Sequence, residues 1–378
     1  MSRVFQTKLK VLQSQFPLRW VLVIPFVLQL SAAVGLTSYV SLQNGQRAVN
    51  DLVTQLNQEV SDRVLQHLDT FTLTSRRVAQ VSLREIETGR INPSDSRSFL
   101  SFFWQQAETY EVGFLLYGDQ QGRLLAAGNH FNDGSVSVVE LDPQKHQNRH
   151  LYVYRADAKG YPKQQGDLIK DYSFQSEDWF AKTLKLGCPN WSSIYNWQAT
   201  PYPLAVAASV PVLDSSVTVI GSVAAESRLS QLSDFLRQLN FSQSGRVFIL
   251  ERSGKLVANS DSSDPFVVKD NLPARLNGKD SPDALIRASA QYLETEFGQL
   301  RSLHSPQQLS FDHAGEKQFL RIVPWRDEWG LDWLVVVVVP ESTFMAQIQA
   351  NTRTTILVCL GALAIATILG IYTSRWIA

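Results

Sequence analysis

Residues 114–128, FLLYGDQQGRLLAAG, and residues 248–260, FILERSGKLVANS, share one layout. In each, an apolar run meets a polar turn closed by a glycine, Gly122 or Gly254. A basic residue then opens a second apolar run that ends in small side chains. Apolar runs joined by a short glycine-bearing turn read as a β-hairpin. Working outward, residues 204–227, LAVAASVPVLDSSVTVIGSVAAES, and 319–342, FLRIVPWRDEWGLDWLVVVVVPES, form a second pair. Each reads as a two-stranded meander ending in Glu-Ser ahead of a helix. Two copies of one antiparallel-sheet domain account for both pairs more simply than one large sheet does. The run Val335–Val339 then reads as a central strand, buried on both faces and stopped by Pro340. It is too short for a membrane span.

Ahead of the first hairpin, Val49, Leu52, Leu56, Val60, Val64, Leu68, Phe71 and Val78 recur at three- and four-residue steps. The spacing predicts a long helix over 42–88, with this stripe facing a core and part of it pairing two protomers. Gly89 and Asn92-Pro93 end it, and Ser94 or Asp95 caps a second helix running towards Glu108.

The long helix continues an uncharged stretch, Trp20–Val40. Roughly 20 apolar residues, at about 1.5 Å each, cross a hydrocarbon core of about 30 Å. Arg3, Lys8, Lys10 and Arg19 precede it and no acid appears before Asp51, which keeps the N-terminus in the cytoplasm. A cleaved signal peptide is the rival reading, opposed by the length of the run and the lack of a clean cleavage site. Residues 354–376, TTILVCLGALAIATILGIYTSRW, predict a second span with Arg353 before it and Tyr372, Arg375 and Trp376 at its far interface. On it Ala362, Ala366 and Gly370 offer a small-residue face for helix contact. The residues between the spans form a domain-sized outer module. A chain that re-enters the cytoplasm and stops at Ala378 is expected to be the front part of a longer protein.

With 378 residues, 44% of them hydrophobic, the chain can build more than one core. Its 35 basic and 35 acidic residues leave no basic excess, so nucleic acid is not an expected partner. Cys188 and Cys359 make no disulfide framework, because one lies in a span. Cys188 sits before Pro189 with no neighbouring base, which argues against a nucleophile. His146 and His150 have the spacing of a helical metal pair with Asp142 upstream, yet DPQKHQNRH reads as a solvated loop, and no metal site is assigned. No phosphate-cradling loop, serine elbow or zinc-protease signature occurs, so neither catalysis nor a cofactor is expected of this chain.

The densest aromatic stretch is residues 176–197, SEDWFAKTLKLGCPNWSSIYNW. Together with the span, the long helix, the GxLLA-type hairpins, WSSIY and IGSVAAESRLSQLSDFL, it resembles the double Cache sensor domains of bacterial chemoreceptors, sensor histidine kinases and nucleotide cyclases. The resemblance implies an α+β fold: two PAS-like antiparallel-sheet subdomains on a long N-terminal helix, flanked by two transmembrane helices. It implies a cytoplasmic N-terminus (1–19), a first span (20–40), a stalk helix (41–93) and a membrane-distal subdomain (94–235). A membrane-proximal subdomain (236–345), a juxtamembrane helix (346–353), a second span (354–374) and the start of a cytoplasmic linker (375–378) follow. The protein would be a homodimer of the bacterial inner membrane, in contact with lipid, with 41–353 outside the cytoplasm. Its missing output would be a histidine kinase, with a cyclase or chemotaxis receptor as alternatives.

In the amino-acid-binding branch of that family, Tyr172, Trp179, Phe180 and Tyr195 match ligand-binding positions, and Glu226 replaces a later Asp. Glu177 stands where the branch has a carboxylate-binding Arg, and Trp197 where it has an amine-binding Asp. A glutamate repels a ligand carboxylate that an arginine would fork onto. The resulting set, Tyr172, Glu177, Asp178, Trp179, Phe180, Tyr195, Trp197 and Glu226, combines aromatic faces with acids, which favours an amine or other cationic guest. The plainer alternatives are that Trp179 and Trp191 anchor a core and that Glu177 merely favours a helix start. A membrane-anchored adhesion module without ligand would show the stretch fully packed.

Overall fold

The computed structural model describes residues 18–131, 133–196, 203–242, 244–270, 272–344, 357–358, 360–362, 364–369 and 372. Contacts divide the chain into one unit of residues 57–339 and another of 1–56 with 340–378. Helix α1 runs unbroken over Leu18–Glu87, so the predicted helix and the apolar stretch before it are continuous. Among the described residues no helix is long and apolar enough to cross a membrane. Several side chains between 18 and 42, the predicted juxtamembrane helix 346–353 and parts of 354–374 lie outside the described set.

The stripe on α1 differs from expectation at Leu52, which is exposed, and at Leu56 and Phe71, which are half-buried. Val49, Val53, Val60, Val64, Leu68 and Val78 are buried, while Leu52 is 54% exposed. Asn57, Ser61, Thr72, Ser75 and Ser82 share the buried face. For Ser61 and Ser75 the apolar template failed because their partners are distant in sequence, whereas Thr72 bonds Leu68 O one turn back. Ser61 accepts from Arg321 at 3.1 Å, Asp69 accepts from Trp325 at 2.8 Å, and the Ser75 hydroxyl bonds that of Ser227.

Helix α2 (Ser96–Tyr110) is capped by Asp95, whose side chain accepts from Ser98 N. The first sheet comprises β1 (Phe114–Asp119), β2 (Leu124–Gly128), β3 (Ser137–Leu141), β4 (Leu151–Ala156) and β5 (Pro162–Ile169), with β6 (Asn190–Trp191), β7 (Tyr195–Asn196), β8 (Leu204–Leu213) and β9 (Val219–Arg228). Its order is β5-β4-β3-β2-β1-β9-β8-β6, with β7 on β8, and the pairings are antiparallel. Helix α3 (Pro143–His146) and helix α4 (Asp178–Leu186) interrupt it. Because side chains alternate along a strand, β1 sends Leu115 and Tyr117 to one core, with Phe99 and Phe103 of α2. It sends Phe114 and Leu116 to the other, with Trp179 and Phe180 of α4.

Helix α5 (Ser230–Gln238) leads to the second set: β10 (Arg246–Glu251), β11 (Leu256–Asn259), β12 (Phe266–Lys269), β13 (Leu272–Arg275), helix α6 (Ala284–Phe297), β14 (Gln307–His313), β15 (Glu316–Arg326) and β16 (Asp332–Pro340). The five-stranded order is β11-β10-β16-β15-β14, and β12 pairs β13 alone. Strand β16 is central as expected, and Leu334 to Val339 are each 0% exposed. The two hairpins close alike: Asp119 N bonds Arg123 O at 3.1 Å and Glu251 N bonds Lys255 O at 2.9 Å. Gly122 (φ 88°) and Gly254 (φ 82°) take the left-handed position that such a turn requires.

Candidate functional site

The aromatic segment is fixed to the first sheet by helix α4. Glu177 precedes it in extended backbone, and Gly187 at φ 63° ends it, donating its amide to Thr183 O. Trp179 and Phe180 are buried, with Phe174 stacked on Trp179 at 5.7 Å and edge-on to Phe180 at 4.9 Å. Beneath them β1 carries Gly118, where an added Cβ would lie 2.5 Å from Phe174 and 2.9 Å from Trp179. Only glycine lets the two rings lie this close to the strand.

Above this packing stands a polar cluster. Tyr172 Oη donates to Glu177 Oε1 at 2.5 Å, and Trp179 Nε1 donates to Glu177 Oε2 at 2.7 Å. Across from them Tyr195 Oη, from β7, donates to Glu226 Oε2 of β9 at 2.5 Å. Burial first, then the Glu177 and Glu226 charges, push the Tyr172 phenol up, and Tyr195 rises well above its ordinary value for the same reasons. Burial also raises Glu177, although the bonds from Tyr172 and Trp179 oppose it. Each phenol thus feels both acids. An ionised carboxylate has about four acceptor positions. Glu177 uses two on these neighbours, so a further donor can join.

Not every expected residue is in the cluster. Asp178 points elsewhere, accepting from Ser193 N at 2.5 Å and tying the 190–195 segment to α4. Phe180 lies in the core under the helix. Trp197 is outside the described residues. The sequence reading missed Arg228, which follows Glu226 by two residues on β9 and so shares its face. That alternation was the available signal. Burial lowers the Arg228 guanidinium from its ordinary value, the Glu226 charge opposes this, and Arg228 Nη2 donates to Asn129 O. His146 lies 3.6 Å from Glu140, and among the described residues no three metal-ligating groups gather.

The segment also reaches beyond its sheet. Trp191, on β6, donates through Nε1 to Asp327 Oδ1 at 2.9 Å in the loop between β15 and β16. The Asp327 carboxylate is 2% exposed, receives Trp329 N at 2.8 Å, and faces Arg76 of α1 at 3.5 Å. Arg76 also pairs with Glu328 at 2.9 Å and lies 5.7 Å from the Trp329 ring centroid. Trp191 is a core anchor with a polar end that ties the first sheet to the second and to the long helix.

Two antiparallel sheets in tandem along one long helix, with a polar cluster between the first sheet and a short helix, define a sensor-domain architecture. The family model described as Cache domain, dCache_1, matches residues 45–348, and the chain belongs to that double Cache family. Among solved structures it is similar to a protein described as Methyl-accepting Chemotaxis protein X, at 17% identity and TM-score 0.50, over 78% of this chain and 99% of that one. It is also similar to the sensory domain of the Campylobacter jejuni chemoreceptor Tlp3 (CcmL), at 11% identity and TM-score 0.50, over 80% and 99%. The ligand-binding domain of that receptor in complex with L-valine matches at 10% identity and TM-score 0.50, over 79% and 96%. At such identities the likeness shows the fold alone. Among curated proteins no sequence matches the chain.

Proposed function

We propose that the chain is the sensing half of a bacterial transmembrane receptor and that the cluster around Glu177 and Glu226 binds a small amine or quaternary ammonium ion. The observation that carries this reading is the pairing of two sequestered carboxylates, each held by a phenol, beside the Trp179 indole. One guanidinium, Arg228, accompanies the two acids, so the site retains one negative charge for a cation to offset. A cation against aromatic faces gains about 0.5–2 kcal/mol per contact. Arg228 supports a second reading, an amino-acid zwitterion whose carboxylate meets the guanidinium, in line with the L-valine held by the Tlp3 domain.

In this reading residues 20–40 and 354–374 cross the inner membrane, 41–353 lie outside the cytoplasm, and two copies pair along α1. Ligand draws the 190–195 segment and α4 together, and the Trp191–Asp327–Arg76 contacts carry the shift to the second sheet and the helix. A movement of about 1–2 Å and a coupling of about 1–3 kcal/mol suffice to bias a two-state output. That output is a histidine kinase, with a cyclase or chemotaxis receptor as the alternatives.

Calorimetric titration of the full chain with choline, butylamine and L-valine tests the site. Heat with the amines that falls at least tenfold in affinity in Glu226→Gln supports the cationic reading. Heat with L-valine alone, lost in Arg228→Met, supports the zwitterion instead. No heat with any of them sinks both and leaves the ligand-free scaffold.

A further inference from the structure

The first sheet has a second face, and on it the hairpin end of β1 opens into a cavity of about 380 Å³. Small-molecule pockets commonly span about 300–1,000 Å³. Ile86 from the last turn of α1, Pro93, Pro143, Val212 and Ile220 supply its apolar wall. Tyr117, Asp119, Arg123 and Asp142 supply half of its polar lining residues, with Asn92, Ser94, Gln121 and Gln144 the others. Two of the first four are already engaged. Asp142 Oδ1 accepts Gln144 N at 3.0 Å and Lys145 N at 3.1 Å, while its Oδ2 faces Arg123 Nε at 3.2 Å. Arg123 Nη1 donates to Pro93 O at 3.0 Å.

Tyr117 and Asp119 are different. The Tyr117 side chain is 5% exposed, and among the described residues no hydrogen bond reaches its hydroxyl. Asp119 is 8% exposed; its Oδ1 accepts the turn amide of Arg123 at 2.9 Å, and no described side chain donates to it. The ring of Tyr117 is buried while its hydroxyl is open on the cavity side, where it can bond a guest. Two carboxylates against one guanidinium leave a single negative charge. Arg123 already faces Asp142 and donates to Pro93 O, so Asp119 sets the charge that a guest meets at this end of the cavity.

We propose that this cavity is a second ligand site, for a small monocationic amine whose ammonium bonds Asp119 and Tyr117 and whose short aliphatic part lies against Ile86 and Val212. The guest would touch the last turn of α1 directly, on the face of the sheet opposite the Glu177–Glu226 cluster. Burial pushes Tyr117 up to about 12 and raises Asp119, so an adjacent cation would relieve the cost of the Asp119 charge.

The test titrates butylamine and ethanolamine into the full chain carrying Glu226→Gln, which weakens the first site at least tenfold. One amine bound per chain is expected, with affinity falling at least tenfold on adding Asp119→Asn and several-fold on adding Tyr117→Phe. Asn keeps the acceptor for the Arg123 amide, and Phe keeps the ring contact with Phe99 at 5.2 Å. If Asp119→Asn does not fold, Tyr117→Phe decides. No binding in the Glu226→Gln background, or affinity unchanged by either added substitution, overturns the proposal. Wild-type binding that Glu226→Gln leaves intact but Asp119→Asn abolishes would retain this site and reject the first.

Discussion

The two sheets close their first hairpins with the same glycine turn, yet their interiors differ in the charge they bury. The core beneath β16 packs Phe248, Leu250, Leu320, Leu334, Val336 and Val338 among others, and the polar residues buried in that half, Asn259, Ser281, Ser289 and Gln318, are uncharged. The first sheet buries Glu140, Glu226, Ser209, Ser222 and Ser227 among its apolar residues. Burying a polar group costs free energy unless it is bonded, so an interior rich in such groups contributes less stability per residue. It offers recognition instead. The second sheet is the base on which the first can hold charges out of water.

The contrast is broken most severely by cutting into the base. Leu334→Ala should lower the unfolding free energy by about 2–5 kcal/mol, as deletion of a well-packed leucine does. Denaturant unfolding measures this. The folded fraction should bind ligand unchanged, and a loss of affinity larger than the loss of folded protein would show that the sheets do not divide the labour this way.

A smaller effect sharpens how the sheets communicate. Trp191→Phe keeps the ring but removes the Nε1 donor to Asp327. A hydrogen bond to a charged group contributes about 1.5–3 kcal/mol. The lower end is expected, since Trp329 N and Arg76 still face the carboxylate. Thermal unfolding of the free and ligand-bound chain checks both the loss and the coupling. An unchanged ligand-induced output in Trp191→Phe would exclude this contact from the transmission path.

The same contrast explains which features were legible in the sequence. Hairpins, meanders and the all-valine strand are local patterns, fixed by a turn glycine and by side-chain alternation, and they appear where expected. The stripe on α1 was less so, because Ser61 and Ser75 are buried by partners about 150 or more residues away. In the site, Tyr172, Glu177, Tyr195 and Glu226 come together, while Asp178 and Phe180 sit beside them in sequence and point elsewhere. A helix start sends adjacent side chains in different directions, which spacing alone does not resolve. The Trp191–Asp327 bond had no signal at all, being a contact between residues 136 positions apart.

The smallest predicted effect is a pH dependence confined to the first sheet. Burial raises the Glu177 carboxyl, so the folded chain holds this proton to higher pH than the unfolded chain does. Between the two values the native state binds more protons, and stability therefore falls as pH rises from the ordinary carboxylate range through the raised value. A bound cation favours the ionised form, so amine affinity should weaken as pH falls through the same window. Glu177→Gln should reduce both dependences and leave the share of Asp119, whose carboxyl burial also raises. Melting temperatures and titrations across that window, with Leu334→Ala as the control for the other sheet, measure them. A pH dependence unchanged in Glu177→Gln would assign the titrating group elsewhere and leave the Glu177 carboxylate an ordinary helix-start acid.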